Sequence, residues 1–246
     1  MQEQAIIVFA DGAAKGNPGP GGWGAVIVTP EGRVTELGGG LAHTTNNQME
    51  LTGVIAALQY LKAVDGTVAV YSDSTYVIRG ITQWVWGWRK RGWKTVEGTP
   101  VLNRDLWEVL VRLVTARGTQ RLAWHYVRGH TGVPGNERVD AIASAFAEGR
   151  WIELYDGPLI GYEVAILDLP DNTDVPQRHT SGSSESKTKA AYSYLSVVDN
   201  QPMRHATWSE CERRVKGVSG ARFKKAMSAA DEAVILRAWG LSPKDL

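Results

Sequence analysis

Four acidic residues, Asp11, Glu50, Asp73 and Asp140, carry the most distinctive chemistry that this 246-residue chain offers. Asp11 and Asp73 close two apolar runs rich in β-branched residues, 5–10 and 67–72, which have the composition of strands covered on both faces. Glu50 and Asp140 fall in segments of helical periodicity. Singly, an acid at a strand end is a turn or cap residue, and one early in a helix complements the helix dipole. Gathered in one place, four carboxylates repel each other unless cations neutralise them. Hard oxygen ligands suit Mg²⁺ or Mn²⁺, and two such ions about 4 Å apart can clamp the attacking and leaving oxygens of a phosphodiester.

The elements that must position these acids follow from pattern. Residues 12–22 are crowded with Gly and Pro, and runs 23–29 and 33–41 flank the turn Pro30-Glu31-Gly32, so the first three strands form an antiparallel meander. Thr45 to Gln48 has capping-box spacing, with Leu51, Val54, Ile55, Leu58 and Leu61 following at helical intervals. A strand, helix, strand order favours parallel pairing through a right-handed crossover, which brings Asp11 and Asp73 to one sheet edge. Helical patterns cover 76–88 and 105–116, and a strand covers 122–127. A final helix has Val139, Ile142 and Phe146 on one stripe, with Asp140 beside it. The fold class is α/β.

The net charge of +1 is silent about a polyanionic partner, so a nucleic-acid surface must come from local clusters. One is the stretch 84–94, which packs four Trp together with Arg89, Lys90, Arg91 and Lys94. Helical spacing makes Trp84 and Trp88 core residues, and a charge run is usually a solvated face. The single cysteine, Cys211, excludes an intramolecular disulfide and a thiolate zinc site and fits a reducing compartment, with the cytoplasm as default. No stretch approaches the roughly 18 apolar residues of a membrane span, and the N-terminus lacks a targeting pattern. Nothing reads as a coiled coil or a large apolar surface, so a monomer without membrane contact is expected. From 168 to 189 the apolar pattern dissolves into Pro, Asp, Thr, Ser and Gly, the composition of a flexible linker. The expected organisation is a domain over 1–167, a linker over 168–189 and a small β/α module over 190–246.

Asp11-Gly12 with Gly16-Asn17-Pro18-Gly19-Pro20-Gly21-Gly22, then Thr44-Thr45-Asn46-Asn47-Gln48-Met49-Glu50-Leu51, Ser72-Asp73-Ser74, and His130 with Asn136-Glu137-Arg138-Val139-Asp140, together resemble the successive motifs of type 1 ribonuclease H. The match runs from about residue 5 to 164 in order and spacing. The resemblance implies a five-stranded mixed sheet flanked by helices, and cleavage of the RNA strand of RNA/DNA hybrids by two-metal-ion catalysis, giving 5′-phosphate and 3′-hydroxyl ends. It makes Asp11 the bridging ligand, with Asp140 at the metal that activates water and Glu50 and Asp73 at the metal facing the leaving oxygen. His130 would shuttle protons or help release product; without the family it is an exposed loop histidine. Asn46 and Asn47 are capping residues or, by resemblance, readers of RNA 2′-hydroxyls. Asn17 and Thr45 resemble a pocket for a DNA-strand phosphate, while Lys90, Arg91 and Trp93 resemble the family's basic protrusion. Two departures bear on substrate affinity: His43 stands where many relatives carry Arg, and the substrate-facing Thr75 replaces a longer amide.

Between 194 and 233, Ala206-Thr207-Trp208-Ser209-Glu210-Cys211, Ala221-Arg222-Phe223-Lys224-Lys225 and Asp231-Glu232-Ala233 resemble the hybrid-binding, viroplasmin-like domain of eukaryotic type 1 ribonucleases H. There it lies at the N-terminus. The resemblance implies that Tyr194, Trp208 and Phe223 stack on a hybrid, or on double-stranded RNA, while Lys224 and Lys225 meet phosphates. Alternatively Trp208 and Phe223 are the core of a tiny domain. Val197-Val198-Asp199 departs from the basic first hairpin of that family. Two competing readings stay open: a resolvase, integrase or transposase on the same sheet, and a non-catalytic hybrid-binding protein.

Overall fold

A computed structural model describes residues 5–129, 132–176, 192–198, 201–216, 218, 220–226 and 228–242. The chain divides into two compact units, Met1–Gln177 and Arg178–Leu246. The first contains β1 (Ile6–Ala14), β2 (Gly19–Val28), β3 (Arg33–Thr44), α1 (Asn46–Tyr60), β4 (Val68–Ser72), α2 (Thr75–Arg79), a π-helical turn (Gly80–Trp84), α3 (Val85–Lys90), α4 (Arg104–Arg117), β5 (Leu122–Tyr126), α5 (Pro134–Ala147) and β6 (Asp156–Pro158). The strand order is β5-β4-β1-β2-β3-β6. β1 pairs with β4 and β4 with β5 in parallel, and the remaining neighbours are antiparallel.

The two-residue alternation of a strand explains the layers. Ile6, Val8 and Ala10 of β1 point into a core with Leu51, Val54 and Leu58 of α1 and Trp107 and Leu110 of α4. Ile7 and Phe9 point the other way, toward Val139 and Ile142 of α5. Both faces of β1 are therefore covered, as its unbroken apolar run requires. Truncating a fully buried side chain such as Phe9 or Trp107 to Ala costs about 3–5 kcal/mol.

Three expectations are corrected. The sheet has six strands rather than five, because Val34 of β3 pairs with Gly157 of β6. Asp-Gly-Pro carries no strand signal, and its Pro is tolerated because β6 is an edge. Asp11 is not a strand end: β1 continues to Ala14, with Gly12 opposite Trp23 and Ala14 opposite Gly21. The stretch expected as a linker from 168 begins as an ordered tail of the first unit. Ile166 is buried, Leu159 and Leu169 pack on the α5-side core, and the Tyr126 amide donates to the Thr173 carbonyl at 3.1 Å. Arg79 of α2 donates to the Pro176 carbonyl. The tail thus packs on the α5 side of the sheet and reaches its β5 edge.

The second unit contains β7 (Ser193–Val198), β8 (Gln201–His205), α6 (Trp208–Val215), β9 (Arg222–Ala226) and α7 (Ala229–Ala238), with antiparallel order β8-β7-β9. Leu195, Ala226, Ile235 and Leu236 form its small core. Thr207 and Glu210 close a capping box on α6. Among the described residues no helix is long and apolar enough to cross a membrane.

Candidate active site

Two close approaches of helix to sheet bring the acids together. A Cβ on Gly12 would lie 2.1 Å from the Glu50 amide nitrogen, so only glycine lets α1 cross β1 here, beside Asp11. A Cβ on Gly24, directly opposite Asp11, would lie 2.6 Å from the Val139 carbonyl, and this contact seats α5 with Asp140. Asp73 follows β4, the parallel neighbour of β1.

Asp11 is buried and accepts a 2.6 Å hydrogen bond from the Gly12 amide. Burial, then the negative charge of Asp73, with smaller contributions from Glu50 and Asp140, pushes its pKa up to about 8 against the opposing Gly12 amide. Burial also raises Glu50; the Ser74 hydroxyl, 2.5 Å from its Oε2, lowers it, and Asp73 raises it. Ser74 was not anticipated as a site residue. Its oxygen also accepts the Val77 amide as the N-cap of α2, so one hydroxyl fixes a helix start and orients Glu50. A Ser directly before a helical pattern is the signal that was available. Asp140 lies 3.4 Å from the Ser144 hydroxyl. Among the described residues no three such side chains close into a ready cage for an ion. Four mutually repelling carboxylates have no reason to contract without a cation, and their hard oxygens fit a divalent one.

A second unanticipated cluster supports α5. The Glu36 carboxylate, its side chain fully buried, accepts two hydrogen bonds from Arg138, at 2.7 and 2.6 Å. It also accepts the Tyr155 amide at 2.9 Å and the Tyr162 hydroxyl at 2.5 Å. These bonds tie β3, α5 and the tail together two residues from Asp140. Asn136 Oδ1, one turn before Asp140 on the same face, is buried with no hydrogen-bond partner among the described residues.

His130 lies outside the described residues. Thr45 takes the cap of α1, accepting the Gln48 amide while Gln48 returns to Thr45, and this leaves Asn46 and Asn47 exposed and unneeded for capping. Asn17, His43, Lys90 and Arg91 are exposed, and Thr75 is half-buried in the first turn of α2. Trp84 and Trp88 meet as tilted rings 5.8 Å apart, Trp88 meets Trp107 edge to face, and Trp93 packs under the Arg104 guanidinium. In the second unit, rings of Tyr194, Trp208 and Phe223 form a row with centroids 5.8 and 5.5 Å apart. Trp208 is 41% and Phe223 51% exposed, so neither is core. Lys225 pairs with Tyr194 on this face; Lys224, of opposite parity, belongs to the other.

The RNase H family model matches residues 3–148. The chain belongs to the RNase H family. It is 54% identical over 155 residues to the ribonuclease H of Cyanothece sp. strain PCC 7425, covering 96% of that protein and 63% of this chain. It is 55% identical to the ribonuclease H of Cupriavidus pinatubonensis, covering 94% of it and 57% of this chain. Among solved structures, LC9-RNase H1, a type 1 RNase H with the type 2 active-site motif, superposes with a TM-score of 0.54 at 31% identity, over 64% of this chain and 79% of that one. The first unit is accordingly a ribonuclease H enzyme domain with a mixed sheet flanked by helices, and enzymes of the RNase H family use divalent metal ions.

Proposed function

We propose that the first unit hydrolyses the RNA strand of RNA/DNA hybrids by two-metal-ion catalysis, with Mg²⁺ as the ion and Mn²⁺ able to replace it, leaving 5′-phosphate and 3′-hydroxyl ends. The observation that carries this reading is the convergence of Asp11, Glu50, Asp73 and Asp140, where burial and then the neighbouring negative charges push the pKa of Asp11 up to about 8. Bound there, two ions would activate the attacking water and neutralise the leaving oxygen. Asp11 would serve both ions, Asp140 the one on the water side, and Glu50 and Asp73 the one on the leaving side. The orphan Asn136 oxygen offers an acceptor to a bound water. His130 moves a proton or helps product leave. The exposed amides of Asn46 and Asn47 read ribose hydroxyls, with Thr75 beside them. Asn17 and Thr45 hold a DNA-strand phosphate, and Lys90, Arg91 and Trp93 extend that contact along the DNA backbone.

The second unit acts as a hybrid-binding module. Tyr194, Trp208 and Phe223 present an exposed aromatic row to sugars and bases, and Lys225 lies beside them for phosphate. Lys224 reaches phosphate from the opposite face, and double-stranded RNA is a second ligand. The protein works as a cytoplasmic monomer. The test is Mg²⁺-dependent cleavage of RNA/DNA hybrid, double-stranded RNA and double-stranded DNA side by side. Cleavage is expected in the RNA strand of the hybrid alone; equal cleavage of double-stranded DNA would overturn the reading.

A further inference from the structure

Between the tail and the end of β5 lies a cavity of about 750 Å³ lined by Tyr126, Arg128, Pro170, Asn172, Asp174 and Pro176. The outer wall is held in place by the Tyr126 amide on the Thr173 carbonyl, by the Thr173 hydroxyl 3.2 Å from His125 Nδ1, and by Arg79 on the Pro176 carbonyl. The Asn172 side-chain oxygen accepts the Asp174 amide at 2.9 Å, which commits the oxygen and leaves the NH₂ end as the donor.

This cavity lies against the end of β5, the strand beside the one that leads to Asp73. β4 and β5 run parallel with Ser72 opposite Tyr126, so Asp73 and the residues after Tyr126 leave the sheet side by side, about 5 Å apart. Gly129 marks how close they stay: a Cβ there would lie 2.8 Å from Asp73 Oδ2. Arg128 is one residue from that contact. A guanidinium matches a phosphate, and an amide donor with a carboxylate acceptor matches ribose hydroxyls. The volume lies in the range of small-ligand sites. One carboxylate among the lining groups disfavours a run of bare phosphates and suits a single ribonucleotide. The outer wall comes from residues 170–176, beyond the family's matched 3–148.

We propose that the tail builds a subsite for one ribonucleotide of the RNA strand beside the scissile phosphate, with Arg128 on its phosphate and Asn172 on its ribose hydroxyl. This rests on the hybrid-cleaving reading above. The experiment uses the full chain, hybrids carrying a single 2′-deoxy substitution at each position around one cleavage site, and a salt series. Arg128→Ala is expected to raise KM about fivefold with kcat within twofold, and to reduce the salt slope of kcat/KM by about one. Asn172→Ala, and Asn172→Asp, which keeps the acceptor for Asp174, are expected to erase the 2′-deoxy penalty at one position and leave the others intact. Salt slopes and 2′-deoxy profiles that superimpose on those of the unaltered chain would overturn the subsite while the functional reading stands. Failure of the unaltered chain to cut hybrid would overturn both.

Discussion

The first unit hides its charges and the second displays its rings. Around Asp11 the sheet and two helices press carboxylates together out of water, at a cost in apo stability that a cation can relieve. Around Trp208 a small core leaves three aromatic side chains in solvent, where they repel nothing. A site built on suppressed repulsion must be sensitive to pH and metal; a site built on stacking must be sensitive to neither. On the proposed reading, chemistry goes with electrostatic strain in the larger unit, and affinity with exposed surface in the smaller.

The sharpest break of this contrast is Asp11→Asn, which should cut kcat by on the order of a thousandfold or more, since on the proposed mechanism it removes a ligand to both ions. The folded pKa of Asp11 is raised from 3.8 to about 8, so its contribution to stability is complete below about pH 4 and is lost as pH climbs toward 8. Thermal unfolding of the metal-free protein between pH 5 and 8 should show that decline, and Asp11→Asn should flatten it. A decline of equal steepness in the variant would remove Asp11 as its source.

Next in size is the buried pair behind Asp140. Arg138→Met should cost about 3–5 kcal/mol, because it strands the buried Glu36 carboxylate; Glu36→Met should cost less, because Arg138 keeps some contact with water, and the double replacement should cost less than Arg138→Met alone. Chemical denaturation of the three variants checks this. Asn46→Ala with Asn47→Ala should lower kcat/KM on hybrid about tenfold, two hydrogen bonds' worth, with the thermal transition unmoved because Thr45 holds the cap. The smallest effect belongs to the second unit. Trp208→Ala with Lys225→Ala should raise KM severalfold on long hybrids and leave kcat unchanged, with the same ratio at pH 6 and 8; Lys224→Ala should do less.

Sequence reading located the four acids and the elements that carry them because Asp11 and Asp73 close apolar runs and Glu50 and Asp140 fall within helical periods. It placed Asp11 at a strand end because what continues the strand is a glycine crossing with α1, a tertiary fact with no local pattern. Asn46 and Asn47 stayed ambiguous because Asn and Thr compete for the same cap, and only the observed Thr45–Gln48 bonds decide it. Glu36 and Arg138 are far apart in sequence, and each reads as an ordinary surface charge. The tail escaped notice because Ile166 and Leu169 pack singly onto the sheet, without the period that repeated contacts impose. In the second unit, Arg222-Phe223-Lys224-Lys225 carries little apolar strand signal of its own, because an edge strand needs burial on only one side.

That tail has a consequence for how the chain is made. Synthesis proceeds from the N-terminus, and domains fold as they emerge. All four acids are already in the nascent chain once Asp140 is out, but the face of the sheet bearing Phe9, Val26 and Val28 stays unsealed until Ile166 and Leu169 follow. The β3 edge waits for Asp156 to Pro158 of β6, and the β5 edge for Thr173. While the ribosome still holds the tail, the half-finished enzyme presents the apolar face and free strand edges that chaperones recognise and that neighbouring nascent chains can pair with.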